Sequence, residues 1–235
     1  MISWQIFFRF FPKVVSKFPV TLSIVLVAFS CGILLGVCFA LVRLKKIPVL
    51  RQIVTLLVSY IRCTPILTQM FVVYFGMPAL LHAMGFHTAG IPNVVYVFIA
   101  YGLNQAGFLS EIIRSSILAV PAGQTEAGRA AGLTEAQTLF HIVMPQALRV
   151  AMPMLGTTFV FLFQATALAY MVGVVDMIGK ANSLSGIYGH TLEGYLCAAV
   201  VFAVISLVLE HVFQYVNRRL DFGRTARRGK KVKPA

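Results

Sequence analysis

Negative charge is scarce in this chain. Seven Asp and Glu residues occur among 235, and charged residues of both signs make up 11% of the sequence, against about 25% in soluble globular domains. No acid lies between Cys63 and Ser110, or between Val150 and Val175. That gap removes the intramembrane acids or charged ring that a channel or ion-coupled carrier would need. The same stretches hold no paired acid and base, and no nucleophile with a base, for a membrane-embedded enzyme. The cysteines Cys31, Cys38, Cys63 and Cys197 form no CxxC pair, so neither a zinc site nor a disulfide framework is indicated, and they read as apolar filler. His82, His87, His141, His190 and His211 show no ligand spacing, so no bound metal is expected. A P-loop is also missing. The nearest approach, Gly173 to Gly179-Lys180-Ala181, has five intervening residues instead of four and ends in Ala, so ATP hydrolysis is not expected of this chain.

What the sequence does have is apolar length. Hydrophobic residues make up 59% of it, and about 20 in a row suffice to cross hydrocarbon. Five transmembrane helices are expected, at roughly 18–42, 52–80, 93–114, 150–175 and 193–215, in a single membrane domain covering 1–235. The expected fold class is therefore all-α, a polytopic helical membrane protein. The first span carries Gly32 and Gly36, a spacing that permits close helix contact. The apolar run after Arg9, Lys13 and Lys17 is too long for the core of a signal peptide. The opening Trp4 to Val15 mixes aromatics with cations and is expected to lie flat at the lipid interface.

The formal charge of +13 raises the question of nucleic acid, but the cations are not spread over a folded face. Eight of the 20 follow Asn217. Segments 43–51, 114–149 and 218–235 hold fifteen Lys and Arg, whereas the other side holds four. The positive-inside rule then places the N-terminus outside and the C-terminus, with a basic tail at 216–235, in the cytoplasm. Contact with anionic membrane lipid fits that tail, and no nucleic-acid partner is expected.

The connection at 115–149 is the longest on the cytoplasmic side, and Pro121, Gly123, Gly128, Gly132 and Pro145 punctuate it. Its composition suggests a short helix around Glu126, a bend at Gly132, and a second helix ending at Pro145. Glu126-Ala127-Gly128, Gly132 and Ile142-Val143-Met144-Pro145 resemble the EAA loop of ABC importer permeases, in sequence and in spacing. Gly128 stands where that pattern has a second Ala, and Met144 where it has Leu. Arg62-Cys63-Thr64-Pro65 with Gln69, Glu111-Ile112-Ile113-Arg114, and Met144-Pro145-Gln146-Ala147 are similar to signatures of the polar amino-acid subfamily, which imports glutamine, histidine, arginine, cystine and related solutes. Cys63 replaces the usual Gly, and Gln164-Ala165-Thr166-Ala167-Leu168 stands where Lys-Asp-Thr-Ser-Leu is frequent.

The resemblance implies the transmembrane-domain fold of a type I ABC importer in the bacterial inner membrane. It implies ABC ATPase subunits that carry the ATP and Mg, a second permease subunit (identical or homologous), an extracytoplasmic solute-binding protein and a polar amino-acid substrate. Glu126, Ala127, Gly128, Gly132, Ile142 and Pro145 would dock the ATPase. An ABC importer permease for another small solute, or an ATP-independent channel or transporter, is the alternative.

A substrate path is sought among polar residues in the spans: Arg62, Thr64, Gln69, Asn104, Thr157, Gln164 and Thr166. Asn104 and Glu111 share a helix face, as do Thr157 and Gln164. Hydrogen bonding between helices is the competing role for each. Glu111 and Arg114, one turn apart, are expected to pair locally.

Overall fold

The computed structural model describes residues 2–45, 47–88 and 90–228, and of 221–228 the helix alone. Among the described residues there is no strand. In chain order the elements are α1 (Trp4–Val15), α2 (Phe18–Leu44), α3 (Leu50–Cys63), α4 (Ile66–Phe71), a π turn (Val72–Gly76), α5 (Met77–Ala83) and α6 (Asn93–Leu118). There follow α7 (Ala122–Ala130), α8 (Glu135–Thr138), a second π turn (Leu139–Val143), α9 (Met144–Ala165), a 3-10 segment (Thr166–Val172), α10 (Met177–Tyr188) and α11 (Thr191–Arg228).

Four stretches are long and apolar enough to cross a membrane: Phe18–Leu44, Ile66–Ala83, Glu135–Val172 and Thr191–Leu220. The remaining expected span is α6, whose 26 residues reach about 39 Å. It is less apolar because it faces protein on several sides. Tyr101, Asn104, Gln105, Ala106 and Ser110 are all buried on it.

The expected second span at 52–80 is not one helix. Pro65 lacks an N–H and pushes the residue before it out of helical space, and Thr64 is extended at φ −112°, ψ 143°. The apolar crossing therefore starts at Ile66, and α3 is a separate helix. The fourth and fifth spans run longer than expected, the fifth continuing as helix through Arg228. Tail residues 229–235 lie outside the described residues. Between those spans α10 replaces a plain connection, with Asp176 as its N-cap.

Every break in a span leaves carbonyls or amides that lipid cannot satisfy. Here α6 supplies partners for several. Asn93 Nδ2 donates to the Val172 carbonyl at 2.8 Å, where the fourth span ends. The Tyr101 hydroxyl donates to the Ala165 carbonyl, where α9 tightens into the 3-10 segment. At the Pro65 break, Gln69 Nε2 donates to the Ile61 carbonyl at 2.7 Å and to Thr64 Oγ1 at 2.8 Å. Asn104 Nδ2 in turn holds Gln69 Oε1 at 3.1 Å.

The longest interface joins α2 to α6. Gly32 and Gly36 make it possible: a Cβ on Gly32 would sit 2.5 Å from Gln105 Cβ, and one on Gly36 3.1 Å from the Ser110 backbone nitrogen. Small Ala28, Ala100 and Ala106 extend the seam. Farther along, α1 packs on α10 and α11. The Ser3 N–H donates to Glu193 Oε1 at 2.9 Å, Phe10 is fully buried beside Tyr188, and Arg9 and Lys13 stand over that ring at 5.3 and 5.5 Å. Trp4 and Phe8 remain exposed, as an interfacial helix requires.

Two outcomes follow. Gly32→Leu forces Gln105 and its helix backbone aside and should cost about 1–3 kcal/mol, read as a lowered midpoint of thermal unfolding in detergent, whereas Gly123→Leu, with open space at its Cβ, should not. Asp176 lies beyond the last residue of the fourth span, fully buried, with Oδ1 accepting from the Gly179 N–H at 2.8 Å. Burial lifts its carboxyl from 3.8 to about 6. The folded state thus binds a proton that the unfolded chain has released, so this contribution is full below pH 3.8 and is lost as pH rises through about 6. Melting curves across that window should show a loss on the order of 2–3 kcal/mol. Asp176→Asn, which keeps the acceptor oxygen, should flatten it.

Candidate functional site

The segment between α6 and α9 is a helical hairpin whose corner is fully specified. Gly132 is left-handed at φ +81°. Its N–H bonds to the Arg129 carbonyl at 2.9 Å, and the Leu133 N–H bonds to the Gly128 carbonyl at 3.1 Å, the paired bonds of a Schellman stop. Two residues on, Thr134 and Gln137 form a capping box at the start of α8. Arg129 meets Glu135 across the corner at 2.9 Å. Both are exposed, so this pair adds little.

Gly128 explains its own departure from Ala. A Cβ there would lie 2.8 Å from Thr138 Cγ2 and 3.0 Å from Ile142 Cδ1. The glycine lets α7 lie flat on α8 and the π turn, with Gly128 buried and Glu126, Ala127, Ala130 and Ala131 exposed. The result is a smooth outward face of small side chains carrying one carboxylate. Ile142 underpins that face, and Gln146 reaches Gln124 at 3.2 Å.

The second helix does not end at Pro145. It continues from Glu135 to Val172 as one rod. A proline ring clashes with the carbonyl four residues back and offers no N–H. The π turn at Leu139–Val143 widens the helix just before Pro145 and absorbs that mismatch. The hairpin is therefore built into the same rod as the fourth span, with no hinge loop between them.

On the end of the bundle nearest this hairpin, Glu111 gathers arginines from three elements. Arg43 Nη1 on α2 lies 2.7 Å away, Arg114 on α6 pairs one turn along, and Arg62 on α3 stands at 4.0 Å. The local Glu111–Arg114 pair was legible from spacing. Arg43 was not, because 68 residues separate it from Glu111.

The polar residues sought as a substrate path divide into separate places. Arg62, Thr64, Gln69 and Asn104 gather at the α3–α4 break, where Gln69 and Asn104 are buried and committed to its hydrogen bonds. Thr166 is fully buried and donates to the Phe163 carbonyl at 2.7 Å. Thr157 and Gln164 share one face, as their spacing indicated, and open into a groove between α9 and α11 of about 400 Å³. Gly156 lets the two helices meet there, since a Cβ on it would fall 2.8 Å from Phe213. Glu210, Gln214 and Asn217 line the same groove from α11. Sequence reasoning passed over these three. Their spacing along one helix face was the available signal.

The pattern of the chain matches residues 32–222 to the family described as "binding-protein-dependent transport system inner membrane component". It is similar to the L-cystine transport system permease protein TcyL of Bacillus subtilis (strain 168), 34% identical over 216 residues, covering 92% of this chain and 90% of the relative. It is also similar to the probable glutamine ABC transporter permease protein GlnM of the same organism, 30% identical over 218 residues, at 92% and 97% coverage. A crystal structure of an amino acid ABC transporter with histidines superposes at TM-score 0.83 and 26% identity, covering 93% of this chain and 99% of that one. An inward-facing MetNI methionine ABC transporter shares the fold at TM-score 0.71 and 19% identity, with coverage of 88% and 95%.

The arginine cluster yields an ordering of effects. Glu111→Ala leaves three guanidinium groups facing one another and should lower stability by about 1–3 kcal/mol. Arg43→Ala should cost less than that. Arg62→Ala, at 4.0 Å and with 45% of its side chain exposed, should fall within about 0–1 kcal/mol. Thermal unfolding of the three variants in one detergent checks the order.

Proposed function

Because the chain belongs to the family of binding-protein-dependent transport system inner membrane components, we propose that it is the permease subunit through which a partner ATPase drives import of a polar amino acid. The hairpin carries this reading. Its small-residue face with Glu126 fits a groove on another protein, and Glu126 can accept a charge-assisted hydrogen bond from an Arg or Lys there. Continuity from Glu135 to Val172 means that displacement of α8 also displaces the fourth span. Approach of two ATPases would rock the spans and open the central path to each side in turn, a rigid-body change between two states.

The ATPase subunits hold ATP and Mg, since this chain has no P-loop. A path between two membrane domains needs a second permease subunit, identical or homologous, and an extracytoplasmic binding protein delivers the solute. The charge bias of the connections supports an inner-membrane protein with its N-terminus outside and its hairpin and C-terminus in the cytoplasm. The named relatives, cystine and glutamine permeases among them, support an amino-acid solute.

Uptake of labelled amino acids by the assembled complex tests the proposal. Glu126→Lys reverses the docking charge, and Gly132→Asp strains a left-handed corner at φ +81°. Both variants should insert in the membrane but lose co-purification with the ATPase, with transport down at least tenfold. Transport by both at the wild-type rate would remove the hairpin as the coupling element.

A further inference from the structure

The acids of the spans differ in how their charge is met. Glu111 is ringed by arginines, and Glu193 accepts from the Ser3 N–H and faces His190 at 3.3 Å. Glu210 is the exception. It is exposed on α11, within the apolar stretch Thr191–Leu220. Its side-chain partner among the described residues is the neutral amide of Gln214, at 3.2 Å. No Lys or Arg among the described residues lies within 4 Å of it.

A carboxylate on a membrane helix is not stable against lipid and belongs on a water-filled or protein-lined route. Glu210 meets that requirement by lining the groove between α9 and α11. The volume of about 400 Å³ falls in the range of small-molecule sites. The other polar side chains around it, Thr157, Gln164, Gln214 and Asn217, are all neutral. Asn217 adds a second unanswered acceptor, since its Oδ1 is buried without a partner among the described residues. Thr157 spends its hydroxyl donor on the Pro153 carbonyl at 3.1 Å, and Gln164 Nε2 spends one of its two N–H groups on Ser206 Oγ at 3.3 Å. The groove thus presents one carboxylate among neutral polar groups, with one buried acceptor left over at Asn217. Its complement is a solute with a positively charged N–H donor.

We propose that the α9–α11 groove is a solute site in which Glu210 pairs with a cationic group, and that the solute is an amino acid with a side-chain ammonium or guanidinium. This rests on the permease reading above and narrows its solute. A zwitterion with a neutral side chain leaves the Glu210 charge uncompensated once its own carboxylate is included. A basic amino acid neutralises it.

Equilibrium binding of labelled arginine, lysine, glutamine and glutamate to the complex of this chain with its ATPase, in lipid nanodiscs without the binding protein, tests the assignment. Arginine or lysine should bind at least tenfold more tightly than glutamine, and glutamate should bind most weakly. Glu210→Gln should erase that preference by about tenfold, and Glu210→Asp, which keeps the charge, should restore most of it. Equal or tighter binding of glutamine by the wild type overturns the proposal, as does unchanged arginine affinity in Glu210→Gln, or no binding of any of the four. The wild-type ranking decides even where a variant does not fold. Failure of the wild-type chain to assemble with an ATPase would instead count against the permease reading. A complex that assembles and hydrolyses ATP without preferring basic solutes sinks only the role of Glu210.

Discussion

Backbone amides and carbonyls inside hydrocarbon have no water to bond, and the rest of this architecture depends on meeting that condition. A bundle of unbroken helices meets it by default. This one is broken at Thr64-Pro65, tightens from α to 3-10 at Ala165 and ends at Val172, and each departure from regular helix is met by a side chain. Most of those side chains come directly or through Gln69 from α6. That helix gives up hydropathy to serve its neighbours, and the same polar residues hold the bundle together. Gly32 and Gly36 make the arrangement possible by letting α2 lie against α6 at backbone distance.

The division of labour along the chain follows. At one end, α1, α10 and the start of α11 are tied by Ser3–Glu193 and by the stack over Tyr188. At the other, three arginines converge on Glu111 next to the hairpin. Between these anchored ends lies the α9–α11 groove, where Gly156 allows contact and where polar side chains still have bonding capacity to spare.

The sequence made much of this legible. Apolar runs located the spans, and the glycine pair of α2 marked a true close approach. The short helix around Glu126 and the bend at Gly132 stand where spacing put them, because a Schellman stop and a capping box are local and need few residues to specify. The misses have a common origin. Hydropathy measures transfer to lipid, not the backbone path, so it ran through Pro65, which ends α3, and gave no account of α10. Pro145 misled in the opposite sense, since a π turn lets the helix continue through it. Arg43 pairs with Glu111 across 68 residues, which no local pattern encodes, and the i, i+4, i+7 spacing of Glu210, Gln214 and Asn217 marks a shared face without showing which helix it meets.

The unbroken run from Glu135 to Val172 also fixes rotational phase. In an ordinary surface loop an inserted residue is absorbed at little cost. Inside a rod of 3.6 residues per turn, one insertion would turn everything before it by about 100°. The Glu126 face would then swing sideways relative to the membrane helix, and contacts such as Gln124 with Gln146 would be pulled out of register. The number of residues between Glu135 and Pro145 is therefore an angular setting as much as a length.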